Sequence, residues 1–380
     1  MRFAFSDEQR AFQKSVRELL VREAGPAAVR AAWTHDEEQA TRLRGRWKQL
    51  GDVGALGLAV PAAAGGLEGT ALDWVLPLEE AGRAALPDPL TETLAVAAPL
   101  LAALAPQSPW LARIAEGAAV VTVAFDERLV AHAELADLVL ARAGDGSVHA
   151  LPRGAFTARP QPSADGARRL AAIAWTPRAE TRLGGAPDSR VDGGGAISGH
   201  ESVAAAAAAD SAISGHAPAW TAAFDRAALA YAAELCGLGL RMLELTVEYV
   251  KVRRQFGASV GSFQAVKHHL ADALVALEFA RPLVYHAAWA TATGQPSRAR
   301  DVSMAKAAAS DAATTTARLA LQCHGAIGYS FEHDLHLWMK RAWALAASAG
   351  DAAWHRARVA DALLGPADRP QTPYGGREHE

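Results

Sequence analysis

The first 117 residues alternate between helical stretches and short breaks. In the opening stretch, apolar residues recur three or four positions apart, at Phe12, Val16, Leu19 and Leu20. This is the spacing of one buried helix face, with Ser6 in front of it as an N-cap and Gly25-Pro26 behind it as a break. Further helices are predicted at residues 40–50, 70–85 and 91–104. Residues 1–117 are therefore predicted to form an all-helical N-terminal domain.

The pattern changes at residue 118, where short runs rich in β-branched residues replace the helical period. Runs such as "VVTVAF" and "ADLVLAR" are separated by Gly, Pro, Asp and Ser, which is typical of antiparallel strands joined by turns. We therefore expect one middle antiparallel β domain, at residues 118–217. This domain looks shortened.

The helical period returns after Pro218 and continues to the end of the chain. The pattern predicts helices at residues 220–254, 262–292, 298–323, 333–348 and 351–364. Ser297 is expected to cap the third of these helices and Gly325 to stop it. Long helices with short connections favour an antiparallel bundle over residues 218–380. The fold class is thus α+β and mostly α: a helical domain, a β domain and a helical bundle.

Composition excludes several classes of partner. A 380-residue chain with 51% hydrophobic residues can bury large cores, and its net charge of -3 offers no attraction for nucleic acid or an anionic membrane. We see neither a signal peptide nor an apolar run long enough for a membrane helix. The only cysteines, Cys236 and Cys323, are far apart in helical patterns, so we expect buried free thiols and a cytoplasmic protein.

Two stretches of the bundle carry candidate chemistry: "RRQFGASVGSFQAVKHHLAD" at residues 253–272 and "QCHGAIGYSFEHDLHLWMKRA" at residues 322–342. By themselves, Arg253 and Arg254 read more naturally as a solvated helix end than as a ligand site. The histidine pairs of both stretches lack the further ligands that a zinc site requires, so no metal is expected.

The order of domains, together with these two stretches, resembles the acyl-CoA dehydrogenase family over essentially the whole chain. In that family, the R-x-x-F-G pattern with a following Gln, and the Q-x-x-G-G-x-G pattern, contact the FAD of a neighbouring subunit. The resemblance implies FAD contacts from five residues: Arg253, Phe256, Gln264, Gln322 and Gly325. A guanidinium suits the pyrophosphate of FAD, and glycine lets the backbone approach a ligand closely.

This chain departs from the family where its members bind the flavin ring and remove a proton. The reaction oxidises the Cα–Cβ bond of an acyl-CoA thioester, and a glutamate serves as the base. The two positions at which members place this glutamate match Ala349 and Ala227, so the resemblance implies no catalytic residue here. The T-E-P-x-x-G-S-D loop of the β domain is also missing, which puts FAD binding by this chain's own β domain in doubt.

These departures resemble the non-catalytic subunit of actinobacterial heterotetrameric (α2β2) acyl-CoA dehydrogenases. The implied partner is a homologous subunit that carries the glutamate. The implied substrate is a fatty acyl-CoA or steroid side-chain CoA thioester, with an electron-transfer flavoprotein as acceptor. Two alternatives stay open: a self-sufficient homotetramer whose base has moved to Asp351 or Asp225, and a non-enzymatic scaffold on the same fold.

Overall fold

The computed structural model describes residues 4–184 and 199–365, with side chains in the second range described from His216 onward. The predicted fold class, α+β and mostly α, is confirmed. The N-terminal region is helical throughout: α1 Asp7–Glu23, α2 Pro26–Ala31, α3 Glu37–Asp52, α4 Ala71–Arg83, a π-helical segment Thr91–Ala97, α5 Ala98–Leu104 and α6 Pro109–Ala115. The four predicted helices are present. The short α2 and α6, which each begin at a proline, were not predicted.

Helix α1 starts as its sequence indicates. The Gln9 backbone N–H donates to the Ser6 hydroxyl at 3.2 Å, and the Ser6 N–H donates to Gln9 Oε1 at 2.9 Å. This reciprocal capping box satisfies two backbone donors that a helix start otherwise leaves free. The apolar residues Val16, Leu19 and Leu20 are buried, as their spacing predicts.

Within the described residues, the β region contains six strands in two three-stranded sheets. The strands are β1 Val121–Ala124, β2 Val130–Ala131, β3 Leu138–Arg142, β4 Val148–Pro152, β5 Phe156–Gln161 and β6 Leu170–Trp175. One sheet has the order β1-β3-β4 and the other β2-β6-β5. The expectation of purely antiparallel pairing is wrong, because β1 and β3 run parallel. Between β1 and β3, the chain contributes β2 to the second sheet. It then returns to the first sheet, where β3 runs in the same direction as β1.

The C-terminal boundary expected for the β region also differs from the structure. Helix α7 spans Gly199–Val252, so residues 199–217 are helical and Pro218 lies inside the helix. Alanine has the highest helix propensity of any residue type, so the run of alanines at residues 204–209 favours a helix over a strand. Residues 185–198, also assigned to the β domain, lie outside the described residues.

The rest of the bundle follows the predicted pattern closely. Its helices are α8 Gln264–Ala292, α9 Arg298–His324, α10 Leu335–Ala347 and α11 Ala352–Leu364. The expected cap at Ser297 is wrong in its bonding, because this hydroxyl donates to Asp301 Oδ2 at 2.7 Å and accepts no backbone N–H. Cys236 and Cys323 are buried free thiols, as expected. No helix in the described part of the chain is both long and apolar enough to cross a membrane.

A close crossing of α4 and α7 joins the N-terminal helices to the bundle. A Cβ atom at Gly82 would lie 2.0 Å from the Glu234 carbonyl oxygen, and one at Gly237 would lie 1.9 Å from the Glu79 carbonyl oxygen. Real Cβ atoms do not approach a backbone so closely, so only glycine fits at either position. The crossing fixes the N-terminal helices against the segment of α7 that lines the cavity described below.

Candidate functional site

The first candidate stretch forms a surface hairpin directly after α7. Residues Arg254–Gln255 pair with Ala258–Ser259, and the two residues between them, Phe256 and Gly257, both have positive φ angles of 53° and 79°. Two positive φ angles are the geometry of the tight type I′ hairpin turn. The turn holds the Phe256 ring 94% exposed at the tip of the hairpin. An apolar ring held in solvent in this way is available to a ligand or a partner.

The candidate FAD-contacting residues with polar side chains are exposed and have no hydrogen-bond or ion-pair partner among the described residues. Within the described residues, the side chains of Arg253, Gln264 and Gln322 make no hydrogen bond or ion pair, and all three are exposed. The neighbouring Arg254 instead donates to the Gly257 carbonyl oxygen at 3.1 Å, inside its own hairpin. Of the two arginines, Arg253 is therefore the one free to bind an anion.

A ring stack brings the ends of α7 and α9 together. Tyr249 stacks on His324 with ring centroids 4.5 Å apart, and its hydroxyl donates to the His324 carbonyl oxygen at 3.4 Å. Tyr249 lies one helical turn before Arg253, and His324 lies between Gln322 and Gly325. The two candidate stretches therefore adjoin at one end of the bundle.

Gly325 ends α9 with a φ angle of 63°, in the region that favours glycine. A Cβ atom there would meet nothing within 4 Å, so the backbone is open to the surroundings. The positive φ angle favours glycine at this position, and the absence of a side chain leaves room for another molecule to approach the backbone.

A cavity of about 620 Å³, partly open to solvent, lies where the N-terminal helices, the β region and the bundle meet. Helix α7 contributes Phe224, Ala227 and Tyr231, which share one face of the helix. The C-terminal end of α10 and the residues after it contribute Ser348 and Ala349. The two alanines at which the resemblance expects a glutamate thus face the same cavity, although they are far apart in the sequence.

The loop that carries Ala349 is held in place by two buried side chains. Lys306 Nζ donates to the carbonyl oxygens of Ala346 at 3.0 Å and Gly350 at 3.1 Å. His355 Nε2 lies 2.9 Å from the Ala349 carbonyl oxygen, and burial lowers the pKa of His355 to about 4. The neutral imidazole can therefore donate this bond at neutral pH. These bonds support the positive φ of 51° at Ala349.

Sequence reasoning missed a polar cluster on the cavity wall. The Tyr231 hydroxyl donates to Glu92 Oε1 at 2.9 Å, and Arg168 Nη2 donates to the Tyr231 oxygen at 3.0 Å. Arg168 Nη1 bonds the Ser348 hydroxyl, which links the β region to the end of α10. These residues come from three separate regions of the chain, so no local motif could have indicated the cluster.

The two alternative base residues are engaged elsewhere. Asp351 caps α11 by accepting the Trp354 N–H at 2.8 Å. Asp225 forms a two-point ion pair with Arg358, whose Nη2 donates to Oδ2 at 3.1 Å. Neither aspartate is among the residues that line the cavity. Among the described residues, no group of three or more His, Cys, Asp or Glu side chains is placed to hold a metal ion.

A helical domain, a two-sheet β region and a helical bundle with a cavity at their junction define a class of fold, and comparison with known proteins identifies it. The N-terminal domain model of acyl-CoA dehydrogenases matches residues 6–118, and the C-terminal domain model matches residues 217–364. The chain is 35% identical over 337 residues to acyl-CoA dehydrogenase IpdE2 of Mycobacterium tuberculosis, covering 88% of this chain and 91% of that protein. This chain belongs to the acyl-CoA dehydrogenase family, whose members are FAD-dependent CH–CH oxidoreductases.

Two solved structures with this fold contain paired proteins. The ChsE4-ChsE5 complex from Mycobacterium tuberculosis has a TM-score of 0.78 at 22% identity, covering 97% of this chain and 100% of that chain. A variant of the Tcur3481-Tcur3483 steroid ACAD has a TM-score of 0.76 at 23% identity, covering 95% of this chain and 99% of that chain. At this identity, the likeness shows the fold alone.

The surface edge fits part of FAD. The free guanidinium of Arg253 suits a pyrophosphate, the two glutamine amides can bond polar groups of a dinucleotide, and the exposed Phe256 ring can lie against it. All of these groups project from the surface. The residues present therefore fit part of a dinucleotide that approaches this surface from outside the chain.

Proposed function

We propose that this chain is the non-catalytic subunit of a hetero-oligomeric, FAD-dependent acyl-CoA dehydrogenase. It completes the FAD site of a homologous partner subunit, which carries the glutamate base and the flavin loop. The enzyme introduces an α,β double bond into an acyl-CoA thioester, of the fatty acyl or steroid side-chain type, and an electron-transfer flavoprotein accepts the electrons.

One observation carries the proposal. Ala227 and Ala349 line the same cavity, while the polar groups of the cofactor-facing edge have no partner among the described residues. We use this name for the surface formed by Arg253, Phe256, Gln264, Gln322 and Gly325. A methyl group accepts no proton, so neither position can supply the base. On the partner's FAD, the role of this chain's residues is to bind and orient. Arg253 is proposed to hold the pyrophosphate, with Phe256, Gln264, Gln322 and Gly325 around it. The pairing in the ChsE4-ChsE5 and Tcur3481-Tcur3483 structures supports a heteromeric arrangement.

The surface of α8 supports a contact with another subunit. Leu274, Val275 and Phe279 are 44%, 53% and 75% exposed, and they lie on the helix that begins at Gln264. Large apolar side chains clustered on one exposed surface typically mark a protein interface. A partner that covers this surface would also reach the cofactor-facing edge at the start of the helix.

The test is co-expression of this chain with a homologue that contains the glutamate and the flavin loop. We expect a stable complex with one FAD per pair of subunits, and little FAD on this chain alone. Arg253→Ala should lower flavin occupancy and activity of the complex together. Arg254→Ala is the matched control, since it removes the same charge from the adjacent residue and should leave occupancy unchanged. Full FAD occupancy in a homotetramer of this chain would refute the proposal.

A second candidate is a self-sufficient dehydrogenase, favoured by one observation. Glu92 is a carboxylate on the cavity wall, so a base could act from there in place of Asp351 or Asp225. This candidate requires α,β-desaturation by the pure chain and its loss in Glu92→Gln. If Arg253→Ala changes neither the flavin content nor the activity of the complex, the result would instead favour a scaffold role for this chain.

A further inference from the structure

Three aromatic rings meet at the end of the bundle that carries the cofactor-facing edge. Tyr249 of α7 stacks on His324, the last residue of α9, with ring centroids 4.5 Å apart. His333, which lies before α10, meets the His324 ring edge-on at 4.6 Å and the Tyr249 ring at 6.0 Å. This three-ring cluster joins the end of α7, which leads into Arg253, to the end of α9, which carries Gln322.

The hydrogen bonds of the two histidines fix where their protons lie. His324 Nδ1 is 2.8 Å from the Ala320 carbonyl oxygen, which can only accept, so the proton of this imidazole is on Nδ1. Its Nε2 is buried and has no hydrogen-bond partner among the described residues. His333 has the opposite arrangement, because its Nδ1 accepts the Leu335 backbone N–H at 3.2 Å. Both imidazoles are therefore neutral in this cluster.

A second proton on either ring conflicts with these contacts. On His324 it would place a charged N–H at a buried position without an acceptor, and on His333 it would remove the acceptor of the Leu335 N–H. Burial lowers the pKa of both histidines, and the charge of His333 lowers the pKa of His324 further. Asp334 acts in the opposite direction on His333, but it is itself paired with Arg30. Tyr249 presents an uncharged ring to the pair.

We propose that Tyr249 and His324 are positioning residues of the cofactor-facing edge, and that they hold it in place only while His324 and His333 are both neutral. Protonation of either histidine separates the rings, and the end of α9 is then no longer fixed against Arg253. Acid therefore weakens the hold of this chain on FAD. This last step rests on the proposed function, whereas the opening of the three-ring cluster is a property of the chain alone.

Proton counting gives the direction and size of the effect. In the open cluster a histidine regains an ordinary pKa of about 6.5, whereas in the closed cluster it takes up no proton. Each such histidine makes closing about tenfold less favourable for every pH unit below about 6.5. The cluster is therefore fully stable above this pH, and its stability is lost as the pH falls.

Amide hydrogen exchange of the chain alone, followed by mass spectrometry at pH 7, 6 and 5, tests the opening without FAD. The segment to follow is residues 325–334, which connects His324 to His333. After correction for the chemical exchange rate, its protection should fall about tenfold or more from pH 6 to pH 5. The protection of α3, which is distant from the rings in the sequence and has no contact with them, should stay constant and serves as the internal reference.

Variants assign the acid response to the two histidines. His324→Phe keeps an aromatic ring against Tyr249 but takes up no proton, and His333→Asn keeps an oxygen acceptor for the Leu335 N–H. Each single variant should lose part of the pH dependence, and the double variant should show less than about a twofold change from pH 6 to pH 5. His268→Phe removes an exposed histidine of α8 and should keep the wild-type pH dependence. Circular dichroism reports whether each variant retains the fold.

The co-expressed complex tests the link to the cofactor. The wild-type complex should release FAD about tenfold faster at pH 5.5 than at pH 7.5, as measured by flavin fluorescence after gel filtration. The double variant should release FAD at the same rate at both pH values. Tyr249→Ala removes the central ring, so its complex should release FAD rapidly at both.

Protection of residues 325–334 that does not change with pH in the wild type would overturn the proposal. So would an acid response that persists in the double variant, or acid opening that leaves FAD release unchanged. Failure of the proposed function is a separate result, seen at pH 7.5 as unchanged flavin occupancy in the Arg253→Ala complex. The hydrogen-exchange result does not depend on it.

Discussion

Lys306 provides a quantitative test of the structure around the cavity. It lies in the middle of α9 with 0% of its surface exposed, and its Nζ donates to Ser310 Oγ at 3.1 Å as well as to the Ala346 and Gly350 carbonyl oxygens. Burial, helped by the charge of Arg168, lowers the pKa of Lys306 to about 7. In the unfolded chain this pKa is about 10.4.

The sign of the pH effect follows from proton counting. Between pH 7 and 10 the unfolded chain binds a proton that folded Lys306 has released, so the free energy of unfolding rises with pH. From pH 7 to pH 9, this one group contributes a rise of about 2 kcal/mol. Lys306→Met keeps an unbranched side chain of similar length but cannot titrate. The free energy of unfolding of the wild type minus that of this variant should therefore rise by about 2 kcal/mol over that range.

The assay is urea unfolding of both proteins at pH 7, 8 and 9, followed by tryptophan fluorescence. Lys48→Met is the matched control, because the Lys48 side chain is 60% exposed on the surface. Its difference from the wild type should stay constant with pH. If the free energy of unfolding of the wild type minus that of Lys306→Met stays constant or falls from pH 7 to pH 9, Lys306 does not titrate in this range and the reasoning is wrong.

Three further predictions concern packing and assembly. Gly237→Ala should destabilise the fold by roughly 1–3 kcal/mol or more, because its methyl group meets the Glu79 carbonyl oxygen, and thermal unfolding measures this. Gly45→Ala, in α3 with nothing within 4 Å of its added Cβ, should instead stabilise the fold by about 0.5–1 kcal/mol. A destabilised Gly45→Ala would contradict the helix geometry. Phe279→Glu should leave circular dichroism unchanged while the complex with the partner subunit dissociates in size-exclusion chromatography; an intact complex would place the interface elsewhere.

The sequence determined most of the helices and the order of the regions. Local signals are sufficient for these features: helical periodicity places Val16, Leu19 and Leu20 on one face, and a capping residue such as Ser6 marks where a helix begins. The same local reasoning failed at residues 199–217, where a run of alanines was assigned to the β region. It also could not give the parallel pairing of β1 and β3, which depends on the path of the chain through two sheets.

Only the tertiary structure decided which side chains meet. Glu92, Arg168 and Tyr231 come from the N-terminal helices, the β region and the bundle, and nothing in the sequence around any of them indicates the other two. Their meeting depends on the α4–α7 crossing, where Gly82 and Gly237 allow backbone contact. The sequence alone predicts helices and their caps because these depend on interactions between residues a few positions apart. The cavity arises from packing between distant segments, and so only the folded chain reveals it.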